Sequence, residues 1–355
     1  MKLSDLPNAR YLPALDGLRA IAVLVVITYH AGFTAVPGDL GVSVFFVLSG
    51  FLITWLLLKE EAQNGEISLG NFYIRRTLRI FPAYFAFLAV SYAFDALRGF
   101  QWPGGLTWAS LTYTVNYYNA LHNHPPTAVA HAWSLSIEEQ FYLLWPLVFI
   151  FTPSRARAWM LAASITLVAG WRSLLYLHFD VGSAYVYNAL DTRFDNLAVG
   201  CLLAILCLQP RFQELLENRS AWIPLAPVVF LLVSRTMTSP EYHYSVGFTV
   251  DALLIAVFLA QIIQRPWAWL DFKSVKWLGT LSYPMYLYHI WGLGAAHKLV
   301  ESSVPALLIG TAITTALASA SYYFIERPVL SLKSRIQQVS SGRRTLSPVR
   351  TFNGD

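Results

Sequence analysis

The chain contains the apolar stretch Leu18-Arg-Ala-Ile-Ala-Val-Leu-Val-Val-Ile-Thr-Tyr-His-Ala-Gly-Phe33, which carries one cation, Arg19, and one imidazole, His30. His30 follows Arg19 by eleven positions, so a helix returns to nearly the same face after rising about 16 Å. Charged and titratable groups are costly inside a membrane and are usually functional there. The stretch therefore predicts a membrane helix with one polar stripe.

The composition of the whole chain is typical of a membrane protein. Of its 355 residues, 56% are hydrophobic and 13% are charged, whereas about 25% of the residues in a soluble domain are charged. Apolar runs recur from position 18 to position 325 and leave no segment for a separate soluble domain. The net charge of +5 comes from cations in short loops and in the tail, so it does not indicate nucleic-acid binding.

The distribution of Lys and Arg predicts the number and direction of the membrane spans. Loops rich in cations mark the cytoplasmic side and alternate with loops that are poor in them. We therefore expect an all-α transmembrane bundle of about ten spans with both termini in the cytoplasm. The predicted spans are 15–34, 41–58, 76–97, 137–152, 158–178, 194–208, 222–235, 246–264, 277–297 and 304–325.

The segment 106–121 is also apolar enough to suggest a span. Counting it as one would place every later basic loop outside the cell. We therefore interpret 102–133 as an outer loop, re-entrant or not, in which His122, His124 and His131 face water or a cavity.

Three arginines are expected together at the inner end of the bundle. Arg76 and Arg79 have helical i, i+3 spacing and share a face, and Arg19 begins the first span. Three guanidiniums at one depth suit a phosphate, because each offers a planar fork of donors. The alternative is ordinary flanking by cations whose side chains reach the lipid headgroups. The stripe shared by Arg19 and His30 favours the phosphate site.

His30 is expected in the outer half of the membrane, about 16 Å beyond Arg19. Histidine titrates near neutral pH and can take a proton from an attacking hydroxyl. A hydrogen-bonded packing role is the alternative. Phosphate-binding cations at this distance from a base indicate a long, thin substrate that carries phosphate at one end and donates a reactive group at the other. Coenzyme A has that shape, with a phosphorylated head, a flexible arm and a thioester at its end.

Two further groups of polar residues are candidates for substrate contacts. Ser49 and Gly50 are small enough for a helix or a slim ligand to approach closely, with helix packing as the alternative for both. We expect Glu138 and Glu139 at the outer boundary beside Trp133. There a carboxylate can orient His30 or hold a sugar hydroxyl, and the indole can stack on a sugar ring.

Weaker signals lie near the end of the chain. His289 follows Tyr286 and Tyr288 in the ninth span, where an aromatic belt at the membrane surface explains most tyrosines. Glu326 ends the tenth span, and an ion pair with Arg327 at the inner surface is its alternative role. The sequence has no metal-ligand cluster, P-loop, nucleophile elbow or dinucleotide fingerprint, so we expect no bound metal.

Several motifs occur in one order along positions 11–328. With them the chain resembles the acyltransferase-3 family of integral membrane O-acyltransferases, which includes bacterial O-antigen acetylases. The motifs are Leu15-Asp-Gly-Leu-Arg-Ala20 leading to Tyr29-His30, Phe45–Thr54, Arg75-Arg-Thr-Leu-Arg-Ile-Phe-Pro82, His131-Ala-Trp-Ser-Leu-Ser-Ile-Glu138, Ser282-Tyr-Pro-Met-Tyr-Leu-Tyr-His289 and Tyr323-Phe-Ile-Glu-Arg-Pro328.

The resemblance implies a ten-helix domain at 11–328. The family's arginine-x10-histidine signature falls on Arg19 and His30, its R-x-x-R signature on Arg76 and Arg79, and its acidic position on Glu138. It thus implies catalytic roles for His30 and Glu138 and donor binding by the arginines. We expect 329–355 to be a basic, disordered cytoplasmic tail, and we expect no fused extracytoplasmic hydrolase-like domain.

The predicted function is O-acylation at the bacterial cytoplasmic membrane, with membrane lipid around the protein. Acyl-CoA is expected as a co-substrate, not a permanent cofactor, and acetyl is the acyl group that the resemblance implies. The acceptor is a carbohydrate: a polysaccharide, a lipid-linked sugar or a small glycoside. His30 acts either as a general base or as a transient acyl carrier. The alternative is a transporter or flippase for a lipid-linked sugar, which the lack of detectable repeats disfavours.

Overall fold

The structure, a computed structural model, describes residues 6, 9, 11–216, 225–237 and 239–331. Within these residues the chain is helical and has no strands. Of the tail predicted at 329–355 to be disordered, 329–331 are helical and the rest lies outside the described residues, as do Lys2, Arg10 and Arg219 of the predicted cytoplasmic segments. The described helices are α1 (Pro13–His30), α2 (Gly38–Asn64), α3 (Leu69–Leu97), α4 (Gly104–Leu111), α5 (Val115–Leu121), α6 (Trp133–Phe151), α7 (Ser154–Leu177), α8 (Ser183–Asn188), α9 (Leu190–Leu206), α10 (Pro210–Leu216), α11 (Leu225–Met237), α12 (Pro240–Tyr242), α13 (Phe248–Gln264), α14 (Lys273–Ala296) and α15 (Ser303–Ser321).

Each of the ten predicted spans overlaps one of these helices. Five helices of the described part of the chain are long and apolar enough to cross a membrane. There is a sixth span if Ser183–Leu206 and Pro210–Leu216, which meet at a bend of 97°, form one broken span. The number of crossings therefore stays a prediction. In contrast, 106–121 forms the two short helices α4 and α5, of 8 and 7 residues. A full span needs about 20 residues, so the segment is not one.

The core of the bundle is built around α1, α2 and α9. α1 packs against α2 and α14, while α2 also packs against α9. α2 and α9 cross at two glycines: a Cβ on Gly50 would overlap the Leu197 carbonyl oxygen, and one on Gly200 would overlap the Val47 carbonyl oxygen. Small residues allow this close approach of backbones inside a membrane. The helix-packing interpretation of Gly50 is thereby confirmed.

A buried ion pair joins α9 to its other neighbours. Arg172 of α7 is fully buried and donates from Nη1 to the Asp195 carboxylate at 2.9 Å. Its Nε donates to the Ser245 carbonyl at 2.6 Å, and its Nη2 donates to the Thr249 hydroxyl at 2.5 Å. Buried charges are tolerated when their hydrogen bonds are satisfied. This network therefore fixes how α7, α9 and α13 meet.

We expect the substitution Gly50→Ala to lower the melting temperature of the detergent-solubilised protein. The added methyl group overlaps the Leu197 carbonyl oxygen, and overpacking of this kind costs about 1–3 kcal/mol. Gly170→Ala in α7 is the matched control, because a Cβ there meets nothing within 4 Å. Equal melting temperatures for the two variants would contradict the glycine crossing.

Candidate functional site

Two neighbouring cavities lie along α1. The first, which we call the arginine cavity, has a volume of about 90 Å³ and includes Arg19 in its wall. The second, the histidine cavity, has a volume of about 880 Å³ and includes His30. Tyr286 of α14 lines both cavities. One helix therefore contributes a cation to one cavity and an imidazole to the other.

The arginine cavity brings together the three arginines singled out from the sequence, Arg19, Arg76 and Arg79. Arg19 forms an ion pair with Asp16 at 3.2 Å. Within the part of the chain that the structure describes, no carboxylate forms an ion pair with Arg76 or Arg79. The Arg76 guanidinium lies 5.2 Å from the centre of the Tyr142 ring. The N–H groups of the Arg76 and Arg79 guanidiniums can thus donate hydrogen bonds to a bound anion.

A chain of hydrogen bonds links α2 and α6 at the same cavity. The Tyr142 hydroxyl donates to Ser49 at 2.9 Å, and the Ser49 hydroxyl donates to the Glu138 carboxylate at 2.5 Å. Ser134 and Glu138 have i, i+4 spacing on α6, and both line the cavity, as does Glu139. The chain of donors holds the Glu138 carboxylate beside the cations.

The expected position of Glu138, beside Trp133 where a carboxylate orients His30 or holds a sugar hydroxyl, is wrong. Trp133 lines the histidine cavity, whereas Glu138 lines the arginine cavity. They are five positions apart on α6, which corresponds to a rotation of about 140° between their side chains. Glu138 therefore contacts Ser49 in a different cavity from His30.

The histidine cavity presents one nitrogen of His30. The Nδ1 atom donates to the Val26 carbonyl at 2.9 Å, so this nitrogen carries the ring proton and Nε2 keeps a free lone pair. The exposed His30 side chain is the last residue of α1. His30 can thus accept a proton from a ligand in the cavity.

The walls of the histidine cavity combine aromatic rings with polar groups. The rings of Trp133 and Tyr187 lie 4.7 Å apart. His124 lies 2.9 Å from the Asn188 side-chain oxygen, and burial lowers the pKa of His124 although this hydrogen bond opposes the shift. A cavity with aromatic walls and a few placed polar groups is typical of small-ligand sites. Its chemistry suits the apolar face and the hydroxyls of a sugar.

The histidine cavity also contains residues that the sequence did not single out, in particular Asp39 and His243. The Asp39 carboxylate accepts hydrogen bonds from Arg235 at 2.7 Å and from His243 at 3.3 Å. An acid at the start of the apolar helix α2 was the available signal for Asp39. Tyr286, expected in an aromatic belt, is 5% exposed and forms part of the wall between the cavities.

The two weaker candidates differ in their surroundings. His289 is fully buried, and its ring centre lies 4.8 Å from that of His30. Glu326 is buried in the π-helical turn Tyr322–Glu326 and accepts a hydrogen bond from Ser321 at 3.5 Å. It lines neither cavity. Arg327 lies over the Tyr323 ring, and the described residues show no ion pair between Glu326 and Arg327.

Comparison with known proteins identifies the family of this chain. A family model described as an acyltransferase domain matches residues 12–323. The chain is 32% identical to the peptidoglycan O-acetyltransferase OatA of Listeria monocytogenes over 93% of the chain and 57% of that relative. It is 30% identical to the O-acetyltransferase OatA of Staphylococcus aureus over 92% of the chain and 58% of that relative. The chain thus spans less than two thirds of these relatives, and no solved structure matches it.

We expect Ser49→Ala and Glu138→Gln to be coupled in their effect on the free energy of unfolding. Their side chains share a hydrogen bond of 2.5 Å, and residues in one network show coupling energies of about 0.5–3 kcal/mol. The measurement is a double-mutant cycle in detergent. Ser49→Ala with Thr152→Val is the control pair, because the Thr152 hydroxyl donates to the Val148 carbonyl of its own helix. Additive effects of Ser49→Ala and Glu138→Gln would contradict the network.

Proposed function

Because the chain belongs to the acyltransferase-3 family, we propose that it transfers an acetyl group from acyl-CoA to a hydroxyl of a glycan, with peptidoglycan as the leading acceptor. The names of its relatives support an O-acetyl transfer to a cell-wall glycan. The observation that carries the proposal is the pair of adjoining cavities along α1. One supplies cations for a phosphorylated donor, and the other supplies a base beside a sugar-sized space.

The donor site consists of Arg19, Arg76 and Arg79. Guanidiniums bind phosphate through paired, charge-assisted hydrogen bonds, and Arg76 and Arg79 have no competing ion pair in the described part of the chain. The arginine cavity of about 90 Å³ suits a narrow arm or a phosphate better than a nucleotide. We therefore assign to it the arm of acyl-CoA and its nearest phosphates, with the nucleotide nearer the cytoplasm.

His30 is the proposed general base. Its Nε2 atom takes the proton of the acceptor hydroxyl, and the hydroxyl oxygen attacks the thioester carbonyl. The new C–O bond forms, the C–S bond breaks, and the departing thiolate takes the proton from His30. General bases of this kind contribute about 10²- to 10⁴-fold to rates. A transient acyl group on Nε2 is the second route, and it uses the same free nitrogen.

Glu138 has a supporting role in this proposal. It accepts the Ser49 hydroxyl proton, Ser49 accepts a hydrogen bond from Tyr142, and the Tyr142 ring lies under Arg76. The Glu138 carboxylate therefore positions Arg76 indirectly, through Ser49 and Tyr142. Trp133 and the polar groups around Asp39 would hold the sugar in the histidine cavity.

We further propose ten membrane spans in the bacterial cytoplasmic membrane, with both termini and the arginine cavity on the cytoplasmic side. The basic loops support this direction. The histidine cavity then faces outward, where an exported glycan is found. In this proposal the transmembrane domain occupies 11–328.

We expect His30→Ala to abolish transfer of labelled acetyl groups from acetyl-CoA to peptidoglycan in membranes that carry the protein. Loss of the base removes the proton acceptor, so the rate should fall by about 10²-fold or more. His122→Asn is the control, because His122 is an exposed histidine in neither cavity. Equal labelling by wild type and His30→Ala would refute the assignment, and export of unmodified glycan would favour the transporter alternative.

We expect Arg76→Gln and Arg79→Gln each to weaken binding of coenzyme A to the purified protein about tenfold or more. A hydrogen bond to a charged group contributes about 1.5–3 kcal/mol, and about 1.4 kcal/mol corresponds to a factor of ten. Calorimetric titration in detergent provides the measurement. Arg98→Gln is the control on the same helix, because Arg98 lies at the opposite end of α3 over the Phe94 ring. Unchanged affinity in the two test variants would remove the donor site from the proposal.

A further inference from the structure

Three histidines from separate parts of the chain meet beside the histidine cavity. His30 ends α1, His289 lies within α14, and His131 lies in the 3₁₀ turn that precedes α6. The ring centres of His30 and His289 lie 4.8 Å apart, and those of His289 and His131 lie 5.0 Å apart. His289 therefore stands between the other two rings.

Each of the three rings has one nitrogen committed to a backbone carbonyl. A carbonyl oxygen only accepts hydrogen bonds, so that ring nitrogen must carry the proton and the other nitrogen keeps a free lone pair. The lone pairs therefore belong to Nε2 of His30, Nε2 of His289 and Nδ1 of His131. The three donations run from His30 Nδ1 to Val26 (2.9 Å), from His289 Nδ1 to Tyr286 (2.7 Å) and from His131 Nε2 to Leu287 (3.1 Å).

Two of these lone pairs are buried without a partner. Among the described residues, neither His289 Nε2 nor His131 Nδ1 has a hydrogen-bond donor, although His289 is fully buried and His131 is 5% exposed. Leaving a buried acceptor unpaired is costly. The described residues also contain no group of three His, Cys, Asp or Glu side chains arranged to hold a metal ion. A proton on His30 Nε2 would give the cluster one donor toward these acceptors.

The inference rests on the proposed function. We propose that His289 and His131 are positioning residues that hold, together with His30, the proton taken from the acceptor hydroxyl. The O–H bond breaks as an N–H bond forms on His30 Nε2, and the lone pairs of His289 and His131 stabilise the positive charge that results. When the C–S bond breaks, the thiolate takes this proton and an S–H bond forms. No other reactant is needed.

Several other titratable groups around His30 already have partners. His124 is hydrogen-bonded to Asn188, and Asp39 is paired with Arg235 and His243. On α14, the Tyr286 hydroxyl donates to the His131 carbonyl at 2.9 Å. On α1 itself, the Tyr29 ring lies edge-on to His30 with the ring centres 5.2 Å apart. The free nitrogens of His289, whose ring is next to His30, and of His131, whose ring is next to His289, are therefore acceptors for a proton on His30.

Two variants separate proton holding from packing. His289→Asn places an amide donor where Nδ1 bonds the Tyr286 carbonyl, but it removes the second ring nitrogen. His131→Gln does the same for the bond from Nε2 to Leu287. If the cluster holds the proton, each variant shifts the acid limb of the pH–rate profile for acetyl transfer to lower pH, by about one pH unit. The maximal rate falls about tenfold, because His30 becomes a weaker base.

A second measurement needs no acetyl transfer. Diethyl pyrocarbonate modifies unprotonated histidine, so the pH dependence of His30 modification in the full chain, followed by mass spectrometry, reports protonation directly. Its midpoint should shift to lower pH in both variants. His122→Asn is the control, because the exposed His122 has the same Nδ1 bond to a backbone carbonyl, that of Tyr118 at 2.8 Å.

The outcomes distinguish the cluster from the proposed function. Unchanged acid limbs and unchanged modification midpoints in His289→Asn and His131→Gln, with normal melting temperatures, would overturn the cluster even if wild type transfers acetyl groups. If wild type transfers no acetyl group but the modification midpoints of His289→Asn and His131→Gln are still shifted relative to wild type, the cluster is supported and the proposed function is refuted.

Discussion

The arrangement of both cavities depends on how tightly α1 is held. A Cβ on Gly41 of α2 would overlap the Ala22 carbonyl oxygen, and one on Gly279 of α14 would overlap the backbone of Asp16. Backbones that approach this closely on two sides prevent α1 from rotating its polar stripe toward lipid. Since a helix is stiff, Arg19 and His30 remain about 16 Å apart along its axis. The distance between the two cavities is thus a property of one helix.

The buried Arg172, which lines neither cavity, is paired differently from the residues of the histidine cluster. Arg172 bonds to a carboxylate, a hydroxyl and backbone carbonyls from two other elements, so its burial stabilises one arrangement of α7, α9 and α13. His289 is also fully buried and His131 is 5% exposed, yet among the described residues each has one ring nitrogen without a donor. Unmet hydrogen-bonding capacity inside an apolar bundle costs free energy. A ligand or proton that forms the missing hydrogen bonds therefore recovers this free energy when it binds.

The sequence predicted features that depend on helical spacing within one segment. The stripe of Arg19 and His30, the shared face of Arg76 and Arg79, and helices at ten apolar segments all follow from a period of 3.6 residues. Contacts between distant segments had no such signal. The approach of His289 to His30 and the bond from Ser49 to Glu138 join residues far apart in the chain. The position predicted for Glu138 was wrong because it took account of depth in the membrane but not of the angle around α6 between Glu138 and Trp133.

The segment from His131 to Glu138 connects the two cavities more directly than α1 does. Ser134 donates to the Tyr286 hydroxyl at 2.7 Å, which in turn donates to the His131 carbonyl. Tyr286 lines both cavities, so these two bonds fix the wall between them. An acetyl group that moves from the arginine cavity toward His30 has to pass this wall, which under the proposed function is where donor and acceptor meet. The geometry of transfer is therefore set by one turn of α6, because that turn holds the wall and places Trp133 and Glu138 on opposite sides of it.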